Sequence, residues 1–145
     1  MASEARAAVL AALPHRPPFL FVDRIVERGE RWIATEWTVP ADLDCFAGHY
    51  PGSPVLPGVL IAEFAFQSAS ILLADLAVEG GVPVLTRIQD ARFRKMVRPG
   101  EVLRAEVREV ERLGKAAWLE ATVRSSGRKV LTLRCTLAIA AGEDA

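Results

Sequence analysis

Composition excludes more than it suggests. The 145 residues include only two cysteines, Cys45 and Cys135, and their separation is neither metal-ligand nor redox spacing. They read as reduced core thiols of a cytoplasmic protein rather than a disulfide. Charge of one sign is also missing: 18 Lys and Arg balance 18 Asp and Glu, so no global field draws nucleic acid or an anionic membrane. No hydrophobic run suits a bilayer, because the longest, Val59 to Ala77, is interrupted by Glu63, Gln67, Ser68, Ser70 and Asp75. The Ala-rich start, Ala2 to Leu13, is too short for a signal peptide and lacks its flanks; it reads as a surface helix. There is no internal repeat, linker or low-complexity segment. His-Glu-x-x-His is absent, the glycines at 48, 52 and 58 match neither a dinucleotide fingerprint nor a P-loop, and Gly52-Ser53-Pro54 is no nucleophile elbow. These absences predict an enzyme or binding protein without metal or cofactor.

Hydrophobic residues make up 51% and charged residues 25%, the balance of a globular chain, and the length suits one domain over residues 1–145. Gly48-His49-Tyr50-Pro51-Gly52-Ser53-Pro54-Val55-Leu56-Pro57-Gly58 is a loop dense in Pro and Gly. It runs into Val59 to Ala77, apolar nearly all round, which predicts a buried helix stopped by Gly80-Gly81-Val82-Pro83. Strands are expected over Phe19 to Val26 and Trp32 to Val39, joined at Gly29, with Pro40 to Phe46 as a connector. After the helix, strands are expected over Val84 to Val97, Val102 to Arg112, Ala116 to Arg124 and Lys129 to Ala140. Short turns between them argue antiparallel pairing. The acidic tail Gly142-Glu143-Asp144-Ala145 is expected to fray. The fold class is α+β, one antiparallel sheet against one long helix.

The chemistry concentrates around that helix. A carboxylate in the second turn of a buried helix is costly unless paired or protonated, so Glu63 needs an explanation. His49 supplies a candidate base. The helix opening at Pro57-Gly58 presents free backbone N–H groups and the positive end of a dipole. A base, an acid and an oxyanion site suit proton abstraction next to a carbonyl. Each has a plainer reading: His49 as a solvated loop residue, Glu63 as a structural ion-pair partner, Gly58 as turn chemistry.

Three blocks resemble the bacterial 3-hydroxyacyl-acyl-carrier-protein dehydratases of the FabZ type. They are Leu13-Pro14-His15-Arg16-Pro17-Pro18-Phe19-Leu20-Phe21-Val22-Asp23-Arg24, the Gly48 to Gln67 stretch, and Ala91-Arg92-Phe93-Arg94-Lys95-Met96-Val97-Arg98-Pro99-Gly100-Glu101. They lie in the family's order across nearly the whole chain. The resemblance implies a hot-dog fold, a sheet curled around a long central helix. It implies that His49 takes the α-proton of a (3R)-3-hydroxyacyl thioester and that the Gly58 N–H polarises the thioester carbonyl. Glu63 then protonates the departing hydroxyl, leaving a trans-2-enoyl thioester and water. Glu rather than the Asp of the FabA branch favours dehydration without isomerisation.

The implied partners are an acyl carrier protein with its phosphopantetheine-linked substrate and a second subunit. The assembly would be a homodimer, a trimer of dimers or a heterodimer, with His49 of one chain facing Glu63 of the other. The basic run Arg87, Arg92, Arg94, Lys95, Arg98, opposed locally by Asp90, is suited to steering an acidic carrier protein. Departures from the family pattern are Tyr50 where Phe is common, Pro17 where an aromatic is common, and Phe64 and Phe66 beside the carboxylate. The two phenylalanines are read as core packing, with an altered acyl specificity as the alternative. Other readings of the whole are another hot-dog thioester enzyme (thioesterase, hydratase or dehydratase-isomerase) or an inactive acyl-binding subunit.

Overall fold

Ala116 to Ser125 alternates buried and half-buried residues without a break, the mark of a strand with one face on a core and one towards solvent. This strand, β5, lies near the middle of a six-stranded antiparallel sheet in the computed structural model, which describes residues 2–77 and 81–141. The other strands are β1 (Arg24–Arg28), β2 (Trp32–Thr38), β3 (Val82–Phe93), β4 (Val102–Leu113) and β6 (Arg128–Ala140), in the order β1-β2-β4-β5-β6-β3. Helix α1 covers Ala2–Ala12, and helix α2 covers Gly58–Leu72. A 3₁₀ turn, Asp44–Ala47, precedes the loop over residues 48–57, and another, Ala74–Leu76, follows α2.

Helix α2 packs against β2, β3, β4, β5 and β6, so one sheet wraps one helix: the α+β hot-dog fold. Phe64, Ile61, Ile71 and Leu72 on the helix meet Ile33, Leu103, Leu119, Leu131 and Leu137 from the strands, all fully buried. A buried hydroxyl pair bridges the helix and the sheet. Ser68 Oγ lies 2.6 Å from Thr35 Oγ1 and donates to the Phe64 carbonyl at 2.8 Å, which ties α2 to β2. Cys135 is buried and its thiol is pushed up to about 12 by desolvation, whereas Cys45 is only half-buried; both are free. Among the described residues no helix is long and apolar enough to cross a membrane.

Three boundaries differ from the sequence reading by four or five residues. Residues 19–23 are not strand: the Phe21 N–H donates to Gln67 Oε1 at 2.8 Å, Gln67 Nε2 donates to the Phe19 carbonyl at 3.2 Å, and the Asp23 N–H alone reaches β2, at the Glu36 carbonyl. Strand β1 therefore begins at Arg24 and turns through Gly29, whose N–H bonds the Trp32 carbonyl. Strand β3 ends at Phe93 rather than Val97, since the Val97 carbonyl is taken by the Leu56 N–H at 2.7 Å. Helix α2 stops at Leu72, and only the short 3₁₀ turn continues towards Ala77. Although β3 and β4 are consecutive, they do not pair; β3 lies beside β6 at the sheet edge. Pro83 is tolerated in β3 because an edge strand need not donate on its open side. Gly80 of the expected helix stop and the Gly142–Ala145 tail lie outside the described residues.

Candidate active site

Dense Pro and Gly make the loop before α2 irregular, and backbone hydrogen bonds hold it in one shape. The His49 N–H donates to the Cys45 carbonyl at 2.9 Å, and Tyr50 and Ser53 exchange bonds across a tight turn. The Val55 N–H donates to the His49 carbonyl at 2.9 Å, and the Val55 carbonyl lies 2.7 Å from His49 Nδ1. A carbonyl can only accept, so this contact puts the proton on Nδ1 and leaves the Nε2 lone pair free as a base. The Tyr50 ring stacks on the imidazole with centroids 4.1 Å apart.

The loop delivers the chain to α2 through Pro57, whose carbonyl accepts the first helical bonds, from the N–H groups of Leu60 and Ile61. The amides of Gly58 and Val59 precede those bonds and have no helical partner. Gly58 lies close under a ring: a Cβ there would stand 2.9 Å from Cε1 of Phe93, which would have to shift. His49, Gly58 and Phe93, with Tyr50, Lys95 and Met96, line one open cavity of about 520 Å³. A free imidazole nitrogen and an unpaired amide at a helix N-terminus thus face one apolar-walled space.

Glu63 does not line that cavity. Five residues beyond Gly58 it points about 140° further round the helix, towards the segment that follows α1. There Gln67 Nε2 donates to Glu63 Oε2 at 3.0 Å, and His15 Nε2 lies 3.7 Å from the same oxygen. The side chain keeps 22% of its exposure. Desolvation raises the Glu63 pKa above the ordinary carboxylate value, against the weaker opposing effect of the Gln67 hydrogen bond. A carboxyl whose pKa is raised keeps its proton to higher pH, which suits a general acid.

A family model for ApeI dehydratase, of the ApeI-like type, matches residues 26–130. The 3-hydroxyacyl-acyl-carrier-protein dehydratase FabZ of Levilactobacillus brevis is 37% identical over 141 residues, 95% of either chain. This chain belongs to the FabZ-type dehydratases. The FabZ of Granulibacter bethesdensis is 40% identical over 129 residues, 86% of this chain and 75% of its own. Among solved structures, the dehydratase heterocomplex ApeI:P from Xenorhabdus doucetiae matches with a TM-score of 0.77 at 17% identity, over 90% of this chain and 89% of that one. A hypothetical thioesterase with coenzyme A from Streptococcus pneumoniae matches with a TM-score of 0.66 at 12% identity, over 97% and 98%. These two structures share the fold.

Within one dehydratase chain, therefore, His49 and Gly58 meet and Glu63 stands apart from them. Among the described residues no group of His, Cys, Asp and Glu is placed to hold a metal. In the basic run, Lys95 is held by Glu101 at 2.9 Å and Arg98 leans on the Pro54 carbonyl at 3.4 Å, while Arg94 lines the cavity with no ion pair among the described residues. Phe64 is fully buried against Trp37, with ring centroids 5.9 Å apart, and Phe66 belongs to the same core. Sequence reasoning assigned no role to Gln67 or His15. The i, i+4 spacing of Glu63 and Gln67 on a helix was a readable signal for the first; the approach of His15 depends on tertiary folding and had none.

Proposed function

We propose that the chain is a single dehydratase domain acting on (3R)-3-hydroxyacyl thioesters carried by acyl carrier protein, releasing water and the trans-2-enoyl thioester. The observation that carries this reading is the 2.7 Å contact of His49 Nδ1 with the Val55 carbonyl, which leaves Nε2 as the free nitrogen of a ring that lines the same cavity as Gly58. The thioester carbonyl seats on the Gly58 N–H, where the helix dipole stabilises the enolate oxygen. His49 Nε2 takes the α-proton, the C–O bond at the β-carbon breaks, and Glu63 gives its proton to the leaving hydroxyl. Afterwards the imidazolium loses its proton and the carboxylate regains one, both by exchange with solvent.

Because Glu63 lies on the other side of α2 from His49, the acid for each site comes from a second copy, and the working unit is a homodimer with two shared sites. An exposed apolar edge supports a second copy: Leu85, Ile88 and Phe93 on β3 and nearby Val59 and Met96 are all substantially exposed. The Arg94 guanidinium at the cavity is suited to the pantetheine phosphate or to an acidic carrier surface. The test is incubation with 3-hydroxyacyl carrier proteins of several chain lengths, read by mass. Loss of one water from the acyl group is expected. Release of free carrier thiol with the acyl mass unchanged would identify a thioesterase instead and overturn the proposal.

A further inference from the structure

The second histidine has no part in the reaction so far. His15 is half-buried between α1 and α2 with its Nδ1 sealed from solvent and unpartnered, and its ring stacks on Phe19 at 6.5 Å. A protonated ring would carry an N–H at Nδ1 with nothing to receive it, a costly arrangement in a buried site. Burial accordingly lowers the His15 pKa. The ring is neutral at neutral pH, and the favoured tautomer carries its single proton on Nε2, the nitrogen facing Glu63 Oε2 at 3.7 Å. Contacts of this kind are commonly long before substrate binds and tighten in the complex.

One oxygen of the acid thus accepts a hydrogen bond from Gln67 Nε2 at 3.0 Å and has His15 Nε2 approaching it at 3.7 Å. Oxygen Oε1 has no donor among the described residues. We infer that His15 is a positioning residue: with Gln67 it occupies Oε2, so that the acidic proton of Glu63 sits on Oε1 for delivery and the carboxylate left behind is stabilised. Other charged groups nearby are engaged elsewhere. The Arg16 guanidinium bonds the Leu10, Leu13 and His15 carbonyls, and Arg6 bonds the Val22 carbonyl and lies 3.7 Å from Asp23. Asp42 and Asp44 line a separate cavity beside Phe19 and Leu60. From α2 itself only the neutral Gln67 meets the carboxyl.

This inference rests on Glu63 being the acid of the proposed reaction, and the experiment separates the two. The dehydratase is compared as wild type, His15→Phe, His15→Gln and Glu63→Gln, with kcat, KM and the pH dependence of kcat measured on a 3-hydroxyacyl carrier protein. Phe keeps a ring against Phe19 but has no donor; Gln places an amide N–H near the position of Nε2. For His15→Phe, a loss of about tenfold or more in kcat is expected with KM within about twofold. The sign of the pH effect follows from the donor: an N–H on a carboxylate favours its ionised form, so removing it raises the Glu63 pKa. The high-pH limb, where the acid is lost, should then move to higher pH in His15→Phe and return towards wild type in His15→Gln. A purely structural His15 would leave that limb in place. An unmoved limb, or a Gln variant no better than Phe, overturns the inference, provided Glu63→Gln is inactive. An active Glu63→Gln enzyme would instead remove the acid role itself. Should His15→Phe not fold, the Gln variant decides alone: loss of the wild-type limb despite native melting contradicts the inference.

Discussion

Replacing Gly58 by Ala separates the demands of folding from those of catalysis. Gly58 is the first residue of α2, and its backbone is already helical. Ala is favoured over Gly in a helix by about 1 kcal/mol, less at the first turn. Against this, the new methyl would stand 2.9, 3.2 and 3.3 Å from Cε1, Cδ1 and Cζ of Phe93, about 0.6 Å short of comfortable carbon contact at the closest point. The obstruction is the end of a side chain that is 51% exposed, so the ring can swing away at small cost. The two effects are of similar size, and the melting temperature of the variant should lie within a few degrees of wild type. Activity should respond differently. The methyl projects where the thioester must approach the Gly58 amide, and displacing an oxyanion from its donor costs roughly 10²–10³ in kcat. The assay is enoyl formation under saturating 3-hydroxyacyl carrier protein, beside a thermal melt on the same sample. A variant with native stability and kcat within about threefold of wild type would refute the assignment of Gly58 as the oxyanion site. Equal collapse of both would show that Gly58 is a packing residue.

Two further predictions test the shared site and the aromatic pair. His49→Ala and Glu63→Gln should each be inactive alone, while refolding the two together should restore part of the wild-type rate, because one site of the mixed dimer carries neither lesion; no recovery in a mixture shown to contain the heterodimer excludes the shared-site model. Phe64→Ala should lower stability by about 3–5 kcal/mol, on the order of 10 °C in a melt, without altering the preferred acyl length; a shifted length profile at unchanged melting temperature would mark Phe64 as tunnel wall rather than core.

Local periodicity made most of the fold legible. The alternation Leu119, Ala121, Val123 against Glu120, Thr122, Arg124 appears in β5 as buried against half-buried residues, and the apolar run after Gly58 is the buried helix. Phe19 to Val22 misled for a physical reason. These residues are apolar and β-prone, but their backbone is claimed by a glutamine amide 46 and 48 residues away, and no local pattern encodes that. The edge position of β3 was equally hidden, since strand order is not a local pattern; its Leu85, Ile88 and Phe93 stand exposed at that edge. At the site, His49, Gly58 and Glu63 were each picked out by residue type and spacing. The orientation that puts Glu63 on the far side of α2 follows from five residues of helix and could have been counted. The approach of His15 to Oε2 came only through the fold.

The amide of Gln67 also bears on how freely this scaffold can vary. Its oxygen accepts from the Phe21 N–H, and its nitrogen donates to the Phe19 carbonyl and to Glu63 Oε2. Both loop contacts are to main-chain atoms. The carboxyl is therefore braced by the path of residues 19–21 and not by the identity of their side chains. Phe19, half in solvent and lining the small cavity beside Leu60, can change size or polarity without removing that brace. Variation at the Phe19 side chain and the brace on Glu63 are thus carried by different atoms, whereas Leu20 and Phe21 are fixed by the core, so an engineer could diversify position 19 while the proposed proton donor keeps its Gln67 contact.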